Sequence, residues 1–163
     1  MTEDVVIFVE VPMGSRNKYE LDPKLGEIVL DRRLFTSMTY PADYGFIEGT
    51  MGGDGDPLDA LVLVGDPTFP GCRIRARVVG VFHMADEKGH DYKILAVAHD
   101  DPRWESASAL EDVSPHLLRE IEMHAEDLRD EQHDAALVER RAAHVHGRPE
   151  RQHESCRGRR DSQ

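Results

Sequence analysis

The sequence predicts an α+β chain: a small closed β-barrel with α-helices packed outside it. Three observations carry that expectation. Short β-rich runs are separated by turns rich in Gly, Pro and Asp over the first hundred residues. After Ser114 the apolar residues recur at helical spacing instead of alternating. The five Phe, four Tyr and one Trp all lie at or before Trp104, so the first two thirds must supply the aromatic core. A chain of 163 residues suits one domain that buries a real core without disulfides or a structural metal.

Val5–Val11 is apolar and β-branched, closed by Pro12 and the polar turn Gly14-Ser15-Arg16-Asn17, and defines a first strand. Tyr19–Leu21 and Ile28–Leu30, joined by Asp22-Pro23-Lys24-Leu25-Gly26, read as a hairpin. Residues 40–57 are dense in Gly, Pro and Asp and are expected to be mostly loop. Ala60–Val64 is a continuous apolar run, the pattern of a buried strand. Arg73–Met84 alternates, with Arg73, Arg75 and Arg77 on one face and Ile74, Ala76 and Val78 on the other. Lys93–Ala98 is expected to pair with it through a turn over Asp86–Asp91. Ser114-Pro115 starts a helix, with serine as N-cap and proline at the first helical position. Leu117, Leu118, Ile121, Ala125 and Leu128 then form one apolar stripe. Ala135–Ala143 is a candidate second helix, and past Gly147-Arg148-Pro149 apolar residues almost vanish, which predicts disorder. The expected organisation is one domain over residues 1–146 and a basic tail over 147–163.

Composition excludes several classes. A formal charge of −12 argues against a nucleic-acid partner, whose phosphates require Lys and Arg. The Arg73/Arg75/Arg77 stripe could be an anion groove, or the face of a nucleic-acid-binding barrel, but a solvated strand face is the commoner state of such a pattern. The charge is uneven, since from Arg140 onward seven Arg face only Glu150, Glu154 and Asp161. Cys72 and Cys156 give neither a disulfide framework nor metal-site spacing, which fits a reducing cytosol. Met1-Thr2-Glu3-Asp4 is acidic and only Val5–Val9 is apolar before Glu10, so neither a signal peptide nor a membrane span is expected.

The stretch Asp54-Gly55-Asp56-Pro57-Leu58-Asp59 places three carboxylates on a loop bent by glycine and stiffened by proline. Carboxylate oxygens are hard ligands that suit Mg²⁺, Mn²⁺ or Ca²⁺. A calcium-binding EF-hand fails by position, because its obligatory glycine would be Asp59 and its terminal glutamate Gly65. A solvated acidic turn is the bland alternative. A second acidic turn, with Asp86, Glu87 and Asp91, together with Glu10 and Glu20, favours a site over a turn. If these segments converge, eight carboxylates meet Lys18, Arg32 and Lys93, a density that opposes folding unless metal cations enter. Clustered hard metals beside basic side chains suit hydrolysis of a small, highly charged phosphate anion.

In these stretches the chain resembles the family I soluble inorganic pyrophosphatases of actinobacterial type. The resemblance rests on Asp54-Gly55-Asp56-Pro57-Leu58-Asp59-Ala60, on Glu10-Val11-Pro12, on Asn17-Lys18-Tyr19-Glu20 and on Leu30-Asp31-Arg32. Tyr40-Pro41-Ala42-Asp43-Tyr44-Gly45-Phe46, Pro70-Gly71, Met84-Ala85-Asp86-Glu87, Asp91-Tyr92-Lys93 and Asp101-Pro102-Arg103-Trp104 follow in the same order. It implies a five-stranded OB-like barrel, hydrolysis of pyrophosphate with several Mg²⁺ ions (Mn²⁺ as a substitute), a cytoplasmic location and a homo-hexamer. It further implies that Asp54, Asp59, Asp86 and Asp91 hold metal, with Glu10 and Glu20 as additional acidic ligands. Asp56 would orient and deprotonate the attacking water, with Asp91 a second catalytic carboxylate. Lys18, Arg32, Tyr44 and Lys93 would grip the phosphates, with Tyr40 beside them, although a loop tyrosine often simply packs.

From about Met123 the resemblance lapses. The family's helix carries a substrate-binding tyrosine and a lysine where this chain has Leu128 and Arg129. Arg129 retains a cation for phosphate, whereas Leu128 can donate no hydrogen bond. Natural divergence and a change of reading frame both account for a stretch that loses aromatics while gaining Arg and His. The five histidines from His124 onward form no usual ligand set. A catalytically weakened relative that still binds metal and diphosphate is the alternative function.

Overall fold

The computed structural model describes residues 4–53, 55–86 and 89–125, without the side chains of 84–86 and 89–91. Seven strands are described: β1 (Asp4–Val11), β2 (Asn17–Asp22), β3 (Glu27–Arg33), β4 (Asp43–Ile47), β5 (Asp59–Leu63), β6 (Arg73–Asp86) and β7 (Gly89–Ala98). Five of them close into a barrel in the order β1-β4-β5-β7-β6, and β2 and β3 form a separate two-stranded sheet. The expected small closed barrel, hairpin and Ser114-Pro115 helix start are all present, the last as helical residues 115–125.

Each barrel strand contributes small or β-branched side chains to the interior, where Ile7, Ile47, Ala60, Val62, Ala76 and Ala96 pack together. The opposite faces of β5 and β7 are equally apolar. Leu61, Leu63, Leu95 and Val97 pack against Val79, Val113 and Ile121, the last from the helix. The continuous apolar run in β5 therefore reflects burial on both faces, barrel interior on one side and helix on the other.

The structure refines the expectations at three places. Residues 40–57 are mostly loop, as expected, but they also contain the barrel strand β4 at Asp43–Ile47. Its Gly45 disguises it: a Cβ there would lie 1.9 Å from the Phe8 carbonyl oxygen, so only glycine lets β1 and β4 approach. The turn placed over Asp86–Asp91 is shorter than expected, since β6 runs to Asp86 and β7 starts at Gly89. The short 3-10 turns Pro102–Trp104 and Leu110–Asp112 were not anticipated.

Arg73 and Arg75 are exposed, as expected of a solvated strand face, and each also pairs with a carboxylate. Arg73 pairs with Glu48 at 2.9 Å and lies over the Phe8 ring, and Arg75 reaches Asp4 at 3.6 Å. Arg77 donates to the carbonyls of Ala107 (3.0 Å) and Trp104 (2.7 Å), clasping the segment after β7 to the barrel. The candidate second helix, Ala135–Ala143, and the basic tail lie outside the described residues.

Candidate active site

Asp59 opens β5 and Lys93 lies midway along β7, and the two strands run parallel with Ala60 opposite Ile94. That register sets Asp59 beside Lys93, and the Lys93 Nζ lies 2.6 Å from Asp59 Oδ2. Tyr44, from the antiparallel neighbour β4, donates its hydroxyl to the same oxygen at 2.6 Å. By strand alternation all three side chains share the face that carries Leu61 and Leu95, not the barrel interior. The site thus continues the face that the helix covers.

The Lys93 ammonium is largely withdrawn from water and also lies 5.5 Å from the Tyr44 ring centroid. An ammonium so withdrawn requires a partner, and the Asp59 carboxylate provides it. Burial, followed by the negative charge of Asp59 and the hydrogen bond to it, pushes the Tyr44 hydroxyl well above its ordinary range. It is therefore protonated at neutral pH and serves as a donor there.

Glu10 approaches from β1. Its Oε1 accepts the Leu21 amide hydrogen at 2.8 Å, which ties the β2–β3 hairpin to the barrel. Burial pushes its carboxyl up; the Leu21 hydrogen bond opposes this, while the charges of Asp59 and Glu20 push further up and Lys18 pulls down. Lys18 stands opposite Arg32 across the hairpin. It pairs with Glu20 and lies 3.5 Å from Asp31, which also takes Arg32 Nε at 3.2 Å. Asp31 is the carboxylate that sequence reasoning overlooked as a site residue. Its place in the sequence beside Arg32 was the available signal.

Behind the site, Asp43 is fully buried and accepts from Met13 N (2.7 Å), Thr68 N (3.1 Å) and Thr68 Oγ1 (2.5 Å). It fixes the backbone immediately before Tyr44. Tyr40 is buried against Val11, Leu34 and Tyr44, so its ring packs as a loop tyrosine commonly does. Asp56 is exposed on the loop between β4 and β5, which is shaped by Thr50 Oγ1 bonding Ile47 O and Leu58 N and by a left-handed Gly55 at φ 93°.

The structure thus assembles Glu10, Lys18, Glu20, Arg32, Tyr44, Asp59 and Lys93 along β1, the hairpin and one barrel face. Asp54, Arg129 and the side chains of Asp86 and Asp91 lie outside what is described. Among the described residues no group of three His, Cys, Asp or Glu side chains stands in metal-holding geometry. The donor chemistry nevertheless fits a divalent cation: Glu10, Glu20 and Asp59 offer hard oxygens, and their mutual repulsion is of the kind a cation relieves.

A closed barrel that gathers carboxylates beside lysine, arginine and tyrosine is the frame of a metal-dependent hydrolase acting on a phosphate anion. The family described as inorganic pyrophosphatase matches residues 7–148. An inorganic pyrophosphatase of Leifsonia xyli is 56% identical over 119 residues, covering 73% of this chain and 72% of the relative. One of Streptomyces coelicolor is 54% identical over 124 residues, covering 76% of each chain. The crystal structure of inorganic pyrophosphatase from Thermus thermophilus superposes with a TM-score of 0.72 at 49% identity, covering 73% of this chain and 68% of that one. The chain belongs to the inorganic pyrophosphatase family.

Proposed function

We infer that this chain hydrolyses inorganic pyrophosphate to two orthophosphates, with Mg²⁺ as its metal and Mn²⁺ as a working substitute. The observation that carries the reading is the convergence of Tyr44 and Lys93 on Asp59, with the Glu10 carboxyl in electrostatic reach. Glu10, Glu20, Asp54, Asp59, Asp86 and Asp91 would hold the metal. When bound, the cations lower the pKa of the attacking water and draw charge from the phosphate oxygens.

The chain's own residues do the rest. Lys18, Arg32 and Lys93 neutralise the diphosphate, and Arg129 adds a further cation. Tyr44, held protonated, donates to a phosphate oxygen once substrate competes with Asp59 for its proton. Asp56 accepts the proton of the attacking water, with Asp91 assisting. The water oxygen bonds to one phosphorus, the bridging P–O bond breaks, and the bridging oxygen leaves with the other phosphate. Neutralising that leaving group is the main electrostatic task, and Arg32 and Lys93 share it.

The same reading places the protein in the cytoplasm and in a hexamer. Among the described residues no helix is long and apolar enough to cross a membrane. The test is release of orthophosphate from pyrophosphate by the purified full-length chain, with Mg²⁺ and then with excess chelator. Release that stops on chelation supports the reading. Its absence at every pH from neutral to alkaline overturns it.

A further inference from the structure

The helix over residues 115–125 covers the apolar face of β5 and β7 and brings a histidine towards the site. His124 is buried, only 3% exposed, and its ring meets that of Tyr40 edge-on with centroids 4.5 Å apart. Tyr40 is itself 1% exposed and lies 5.5 Å from Tyr44, whose hydroxyl donates to Asp59. Three rings thus run without a break from the helix to the carboxylate–lysine pair.

We propose that His124 is a positioning residue, acting through Tyr40 to fix Tyr44 against Asp59 and Lys93. Space filling alone does not explain it. Every other described inward position of this helix, Leu117, Leu118, Ile121 and Ala125, is aliphatic, whereas His124 presents a ring to Tyr40. The edge-to-face contact restricts the Tyr40 ring, and rings so paired are worth about 0.5–1.5 kcal/mol beyond area burial. The Tyr40 side chain is held by packing among Val11, Leu34 and Tyr44, and its backbone is laced to the loop after β1. Gly14 N bonds Tyr40 O at 2.8 Å and Tyr40 N bonds Ser15 O at 3.1 Å. Packing and backbone together seat the ring, and His124 supplies the edge against which it rests.

The inference rests on the reading that pyrophosphate is gripped at Tyr44. The experiment is a double-mutant cycle on the full-length chain, measuring kcat and KM for pyrophosphate with Mg²⁺. The variants are His124→Ala, Tyr40→Ala and the double substitution, with melting temperatures alongside. His124→Ala is expected to lower kcat/KM roughly tenfold, mostly through KM, and to lower it no more than about twofold when Tyr40 is already alanine. His124→Phe, which keeps a ring edge, is expected to recover most of the loss, and His124→Leu, which fills the volume without a ring, replaces the alanine variant in the cycle should that fail to fold. Additive losses, or a lower melting temperature with kcat/KM unchanged, overturn the positioning role alone. A wild-type chain that releases no phosphate overturns the functional reading and this inference with it.

Discussion

Asp59 and Lys93 sit side by side where the parallel pairing of β5 and β7 begins, and their charged groups meet at 2.6 Å. The lysine is the more withdrawn partner, its side chain 11% exposed against 34% for the aspartate. Lys93→Met should therefore leave a carboxylate that still reaches water. We expect a stability loss of about 2 kcal/mol, below the roughly 3–5 kcal/mol for breaking a fully buried pair. The loss in kcat should exceed tenfold, because the leaving phosphate loses a cation. Urea denaturation and steady-state kinetics on the same preparation check both values.

Tyr44→Phe keeps the ring over Lys93 and removes only the hydroxyl. A hydrogen bond to a charged group contributes about 1.5–3 kcal/mol, so kcat/KM should fall roughly ten- to hundredfold. Circular dichroism should be unchanged. A variant as active as wild type would remove Tyr44 from the substrate-gripping set.

The barrel was legible where the chemistry is local. β1, β5 and β7 are runs of Val, Ile, Leu and Ala, and the helix start is written in Ser114-Pro115. β4 was hidden, because its Asp43 and Gly45 read as loop residues. One is in fact a buried anchor for Met13 and Thr68, and the other is a point of backbone contact. Both are tertiary requirements, which no local pattern carries. The site residues were likewise nameable from their acidic and basic spacing. The parallel register that puts Asp59 next to Lys93 was not, nor was the role of Asp31 between Lys18 and Arg32.

Gly45 offers a direct check on that reading of β4. Gly45→Ala drives a methyl group into the Phe8 carbonyl, and both strands are central to the closed barrel. We expect a destabilisation of about 3 kcal/mol, the upper end for overpacking, seen as a lower thermal midpoint.

Glu10 supplies a pH-dependent prediction. Its folded-state pKa is raised, chiefly by burial, so between the unfolded and folded values the native state holds the extra proton. Stability therefore falls as pH rises through that window, and at neutral pH the ionised carboxylate is a net cost in metal-free protein. Glu10→Gln keeps the acceptor for Leu21 N–H and removes the charge. Metal-free Glu10→Gln should melt a few degrees above wild type at pH 7, with the difference vanishing below pH ~4, where the carboxyl is protonated in both states. With Mg²⁺ the order should reverse, because a bound cation stabilises most the form that retains the full set of carboxylates. Calorimetry across pH, with and without Mg²⁺, reads both.

The most direct test of the central claim is orthophosphate release from pyrophosphate by the full-length wild-type chain beside Asp59→Asn, with Mg²⁺ titrated from chelator excess to saturation. The account predicts release that requires Mg²⁺ in the wild type and falls at least tenfold in Asp59→Asn. Equal release by the two proteins, or release that persists in chelator, would contradict it.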